Sequence, residues 1–132
     1  MLGGGNPVGG ANPTGIGKTL NYLGIHAYAY SGTVEITGTT TPVTMLKFTT
    51  GPQYIRAVVQ FTSIESGGND LNFRVLMDSQ VVATQSINAA KDFFHDALEL
   101  IIPPFTQVEC DGLNIDTSEG RDSTATIVGR VY

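Results

Sequence analysis

Tryptophan is absent from this chain, and cysteine occurs once, at Cys110. A lone cysteine forms no intrachain disulfide, which excludes the disulfide-framework modules common among small secreted domains. Histidine occurs only at His26 and His95, and neither stands at zinc-ligand spacing from the other or from Cys110. Charged residues make up 14% of the chain, where about 25% is usual. The net charge is −5, and Lys18, Lys47, Lys91, Arg56, Arg74, Arg121 and Arg130 are scattered among separate segments. Without a basic patch there is no electrostatic footprint for nucleic acid, and none is expected as a partner. The longest apolar stretches are four or five residues, too short for a membrane-spanning helix, so no membrane partner is expected. Residues 1–7 have neither a basic region nor an apolar stretch, and so do not read as a signal peptide. The chain is expected to be made and to fold in a cytoplasm.

Thr, Ser, Asn, Gln and Gly take the place of the missing charge. Such a surface is neutral and hydrogen-bonding, and it suits packing against another protein. At 132 residues the chain is long enough for one domain with its own core. Residues 1–19 carry seven Gly and two Pro. They offer too little apolar surface to offset ordering entropy, and they predict an arm that is disordered alone. Leu2, Val8 and Ile16 are spaced between the glycines as apolar anchors, with Lys18 at the arm's end, and these four are the candidate partner-binding residues of the arm.

From residue 20 to 132 the pattern is β. Leu23, Ile25, Ala27 and Ala29 alternate with Gly24, His26, Tyr28 and Tyr30. Val34 and Ile36 continue after a break at Ser31-Gly32. The same alternation runs through Ile55–Phe61, Leu71–Met77, Val108–Cys110 and Ala125–Val131. Period two puts one face inward and the other outward. Turn chemistry punctuates these runs at Gly51-Pro52, Ser66–Asp70 and Glu119–Asp122, and Asp78-Ser79 reads as a tight hairpin. Pro103-Pro104 predicts a bend or crossover between sheets. The one helical candidate is Asn88–His95. About eight strands with regular turns and no strand–helix–strand alternation predict an all-β antiparallel sandwich. Tyr28 and Tyr30 fall on the polar face of their strand and are the candidate surface aromatics.

A search for chemistry finds little. Gly15-Ile16-Gly17-Lys18-Thr19 ends like a phosphate-binding loop, but Asn12 stands where that motif needs glycine, and no strand precedes it. The oxygen-rich stretch from Asp111 to Asp122 lacks the spacing of a calcium-binding helix–loop–helix. It reads as a solvated acidic loop, with a loop calcium site as the alternative. No nucleophile-elbow pattern occurs. Glu35, Glu65, Glu99 and Glu109 sit at outward phases rather than across a cleft. Cys110 shares the apolar phase of Val108 and reads as a small core residue. Gly129, on an inward phase, predicts close approach of another backbone or a bulge. The expectation is a protein that binds or assembles, not an enzyme, with no catalytic residue, cofactor or resident metal.

With these features in view, the chain resembles jelly-roll virion proteins, most of all the decoration (cement) proteins of tailed-phage heads. The likeness lies in the arm 1–19, the strand pair Met45–Thr50 and Tyr54–Phe61, the hairpin Phe73–Val82, and Ile101-Ile102-Pro103-Pro104-Phe105 leading to Val108. The resemblance implies a β-sandwich, often a homotrimer, clamped over joints of a major capsid protein on the outside of a virion. Carbohydrate- or receptor-binding modules of head fibres and spikes share such an architecture and form the alternative. Metal-dependent cupins, a third jelly-roll class, take several histidine ligands from paired strands, which two histidines do not supply.

Overall fold

The computed structural model describes residues 19–37, 40–63, 70–88, 97–115 and 120–132. The arm residues Leu2, Val8, Ile16 and Lys18, and residues 89–95 of the helical candidate, lie outside these. Ten strands follow in order: β1 Asn21–Leu23, β2 His26–Tyr30, β3 Val34–Ile36, β4 Val43–Thr49, β5 Ile55–Ser63, β6 Asp70–Met77, β7 Gln80–Asn88, β8 Leu98–Ile102, β9 Gln107–Asn114 and β10 Arg121–Val131. They form two wholly antiparallel sheets, β1-β2-β10-β5-β8 with β3 also on β10, and β4-β9-β6-β7.

β2 and β3 both pair with β10 and run in the same direction, so they act as one strand interrupted at residues 31–33. At the interruption the buried Ser31 hydroxyl accepts a hydrogen bond from the Ala125 N–H (2.8 Å), and the Ser31 N–H donates to the Ala125 carbonyl (3.0 Å). The side chain thereby stands in for a carbonyl of the ladder, and Gly32 takes the positive φ of 67° that the bulge requires. Counting β2 and β3 as one, the chain passes back and forth between the sheets at every connection except the β1–β2 and β6–β7 hairpins. The resulting orders are those of a jelly roll.

The alternating residues meet between the sheets. Ile55, Ala57, Val59 and Phe61 of β5, Leu71, Phe73 and Val75 of β6, Val108 and Cys110 of β9, and Ala125 and Ile127 of β10 are all buried. The Phe61 and Phe73 rings stack from opposite sheets at 4.8 Å and 13°, a favourable aromatic geometry. Gly112 leaves room for both Ile36 and Phe73, whose atoms stand 3.1 Å from where its Cβ would lie. Gly129 faces the core beside Ala27 and Ala57. A Cβ there would fall 2.6 Å from the Arg56 carbonyl oxygen, the close backbone approach that the inward glycine predicts. In β4 a register shift between Thr44 and Leu46 buries the consecutive pair Met45 and Leu46, which simple alternation would have split.

Three expectations need correction. Leu23 to Ala29 is not one strand: Gly24, at φ 60°, turns the chain back, so β1 pairs with β2 and Leu23 and Ile25 stand in solvent. Asn88, the first residue of the expected helix, ends β7. The stretch from Asp111 does not begin as a solvated loop. Asp111 to Asn114 are the end of β9, and Asp111 is only 3% exposed.

Candidate functional site

The two outer faces of the sandwich differ in kind. On the β4-β9-β6-β7 sheet, polar side chains bond to one another. Arg74 donates to both carboxylate oxygens of Asp111, Thr44 donates to Glu109 (2.9 Å), and Ser86 donates to Asn72 (2.6 Å). Asp111 and its neighbour Glu109 hold the Arg74 guanidinium above its ordinary value. Each of these pairs joins neighbouring strands.

The outer face of the other sheet is a grid fixed by register. Across β2, β10, β5 and β8, one row reads His26, Arg130, Arg56 and Ile101, and the next reads Tyr28, Val128, Val58 and Glu99. Then come Tyr30, Thr126 and Gln60, followed by Thr124 beside Thr62, whose hydroxyls share a hydrogen bond. At the far end Asp122 stands opposite Glu35 of β3. The middle is apolar, with Tyr30, Val58 and Val128 all exposed. The Tyr28 and Tyr30 rings lie 5.3 Å apart and tilted, so both candidate aromatics occupy this face. Arg56 reaches Glu99 at 3.5 Å, both exposed, and Arg130 lies over the Tyr132 ring at 5.3 Å. A shallow recess lies between Arg56, Glu99, Leu100 and Ile101.

A second surface caps the end of the sandwich where β1 turns into β2 and β8 gives way to β9. Backbone hydrogen bonds tie this end together: Val131 to Ile25 (2.7 Å), Tyr132 to Tyr54 (2.9 Å), and Phe105 to Gly51 (2.9 Å), each N–H to carbonyl. The buried Thr50 hydroxyl donates to the Pro103 carbonyl and accepts from the Thr106 N–H. Pro103-Pro104 thus makes the expected crossover from one sheet to the other. Burial raises the Tyr22 phenol against the opposing effect of its hydrogen bond to the Gly51 backbone. Yet Leu23, Ile25, Tyr54, Phe105 and Tyr132 project from this end, each more than half exposed. Phe105 is 71% exposed and has φ 54°, a left-handed conformation that a bulky side chain rarely adopts.

Of the other residues that the sequence singled out, His26, Glu35 and Glu99 are exposed on the outer face of the β1-β2-β10-β5-β8 sheet, and Glu109 is half-buried on the other sheet. His95, Glu65 and residues 116–119 lie outside the described residues. Among those described, no three His, Cys, Asp or Glu side chains converge. Cys110 is fully buried, and burial pushes its thiol up to about 12. The hydrophobic rim escaped sequence reasoning, because Leu23 and Ile25 alternate with their neighbours as core residues do. Phe105 carried a usable signal, a large aromatic directly after Pro103-Pro104. No family model matches the chain, and no curated protein matches it in sequence.

Proposed function

We propose that the chain is a structural protein of a virion, a decoration or cement protein that binds a major capsid shell and stabilises it. The observation that carries this reading is the rigid, hydrogen-bonded end of the sandwich that holds Phe105, Tyr54, Tyr132 and Ile25 in solvent. Large apolar side chains on an ordered backbone lose little entropy on docking, and aromatics of this kind anchor protein interfaces. The jelly-roll strand order supports the same reading. In this reading the glycine-rich arm reaches along the shell from the start of β1, and many modest contacts gain strength through repetition on a symmetric surface.

The test is a binding experiment on purified shells. The full chain should co-sediment with them at a fixed copy number, and a variant lacking residues 1–18 should fold but lose binding. The double variant Tyr54→Ser, Phe105→Ser should also lose it while keeping its β circular dichroism. Shells decorated equally well by both variants would overturn the reading. The Tyr28–Tyr30 pair favours a second reading, a glycan- or receptor-binding module. Saturable binding on a glycan array that Tyr28→Ala abolishes would put that reading first.

A further inference from the structure

A strand at the edge of a sheet presents unpaired N–H and C=O groups, and proteins blunt such edges with charge, proline, a bulge or short length. The edge strands here are β1, β3 and β8 in one sheet and β4 and β7 in the other. β1 and β3 are three residues each. β8 is five residues, carries the exposed Glu99 and runs into Pro103-Pro104. β4 follows Pro42, carries the exposed Lys47 and is bulged between Thr44 and Leu46. β7 is the exception: nine residues, Gln80–Asn88, with no charge, proline or glycine. Its register shift lies near the turn, and from Ala83 to Asn88 it pairs residue for residue with β6. Among the described residues nothing pairs with its outer edge.

The register settles which backbone groups of β7 face outward. The Asp78 N–H donates to the Gln107 carbonyl at 2.8 Å, just beyond the pair Met77 and Val108. That pair is therefore a non-hydrogen-bonded one, and Met77 turns its own N–H and C=O toward β7. Residues of an antiparallel strand alternate in this respect, so Val75, Phe73 and Leu71 also turn toward β7. Their partners Ala83, Gln85 and Ile87 point their backbone groups at β6. Thr84, Ser86 and Asn88 point theirs away from it.

We propose that β7 pairs antiparallel with β7 of a second copy, about a two-fold axis perpendicular to the sheet, so that two four-stranded sheets become one of eight strands. The set Thr84, Ser86 and Asn88 maps onto itself in only one register: Ser86 faces Ser86, and Thr84 faces Asn88. Each facing pair exchanges two backbone bonds, about six in all. A two-fold axis brings a strand against itself and repeats any charge it carries. β7 has no charge to repeat, whereas β4 would repeat Lys47 and β8 would repeat Glu99. The evenly paired stretch spans about 20 Å and the sheet is about 10 Å deep, less area than a permanent dimer needs. The pairing is therefore concentration-dependent and carried by main-chain bonds, as in strand addition generally. It does not depend on whether the chain decorates a shell.

Sedimentation and amide hydrogen exchange of the full-length chain, from about 10 μM to about 1 mM, test it. A dimer should appear as concentration rises. The N–H groups of Thr84, Ser86 and Asn88 should exchange freely in dilute solution and slow about tenfold or more in the dimer. Those of Ala83, Gln85 and Ile87 should be protected throughout. Ser86→Pro removes an N–H that β6 does not use, so it should abolish the dimer and keep the β circular dichroism. Ser86→Lys, which sets like charges opposite each other, should weaken the dimer about tenfold or more. Ser86→Cys should form a disulfide-linked dimer under mild oxidation, and Thr49→Cys on the β4 edge should not. A wild type still monomeric at the highest concentration would overturn the proposal. So would a closed trimer, outward amides already protected in the monomer, or a folded Ser86→Lys variant that dimerises like the wild type. Shell binding is read in a separate assay, so failure here leaves the proposed function to be judged by its own test.

Discussion

Arg74 of β6 and Asp111 of β9 meet across neighbouring strands in a two-pronged ion pair, with nitrogen–oxygen distances of 2.9 and 2.6 Å. The Asp111 side chain is 4% exposed and the Arg74 side chain 36%. Removing the arginine therefore leaves a nearly buried charge without its counter-ion. Arg74→Met should lower stability by on the order of 2 kcal/mol, less than for a wholly buried pair because the guanidinium is partly solvated. Adding Asp111→Asn to that variant should recover much of the loss. Urea midpoints at unchanged slope measure both.

Gly129 is where β10 and β5 come too close for any side chain. The added methyl of Gly129→Ala would press on the Arg56 carbonyl at 2.6 Å and the Ala57 Cα at 3.0 Å, both backbone atoms. The expected loss is on the order of 2–3 kcal/mol, as for an overpacked core, read as a lower thermal midpoint. A variant as stable as the wild type would mean that β10 can move away from β5 at little cost.

Cys110 gives the stability a defined dependence at alkaline pH. Burial raises its thiol from an ordinary 9.0 to about 12, so above pH 9 the unfolded chain gives up the proton that the folded chain keeps. The contribution is fully present below pH 9 and is lost as pH rises toward 12, at up to about 1.4 kcal/mol per pH unit. Cys110→Ala should flatten that decline in denaturant titrations between pH 9 and 11. In the native protein at pH 8 the thiol should resist alkylation, and it should react once the chain is unfolded in denaturant.

Phe105 separates stability from binding. Its backbone sits in the left-handed region, which costs a side-chain-bearing residue about 1–2 kcal/mol. Glycine relieves that strain but adds unfolded-state entropy. Phe105→Gly should therefore raise stability by on the order of 0.5 kcal/mol, measured by chemical denaturation, while weakening attachment to shells. Loss of more than 1 kcal/mol of stability would instead mean that the ring supports the fold.

The sequence by itself determined the all-β class and the inward residues of its most regular strands. Ile55 to Phe61, Leu71 to Val75 and Ala125 to Gly129 were legible because a sheet covered on one side demands apolar groups at every second position. Asp78-Ser79 was legible as a tight turn, and both residues do take positive φ. Cys110 was legible as core from its phase alone. Period two reports which side of a sheet a residue occupies, but it does not say which strand lies alongside. Tertiary structure alone decided that Arg74 would shield Asp111, that His26, Arg130 and Arg56 would share one row, and that Leu23 and Ile25 would flank a turn. Those relationships depend on pairing between segments far apart in the chain, and pairing is settled by the fit of two whole sheets around one core.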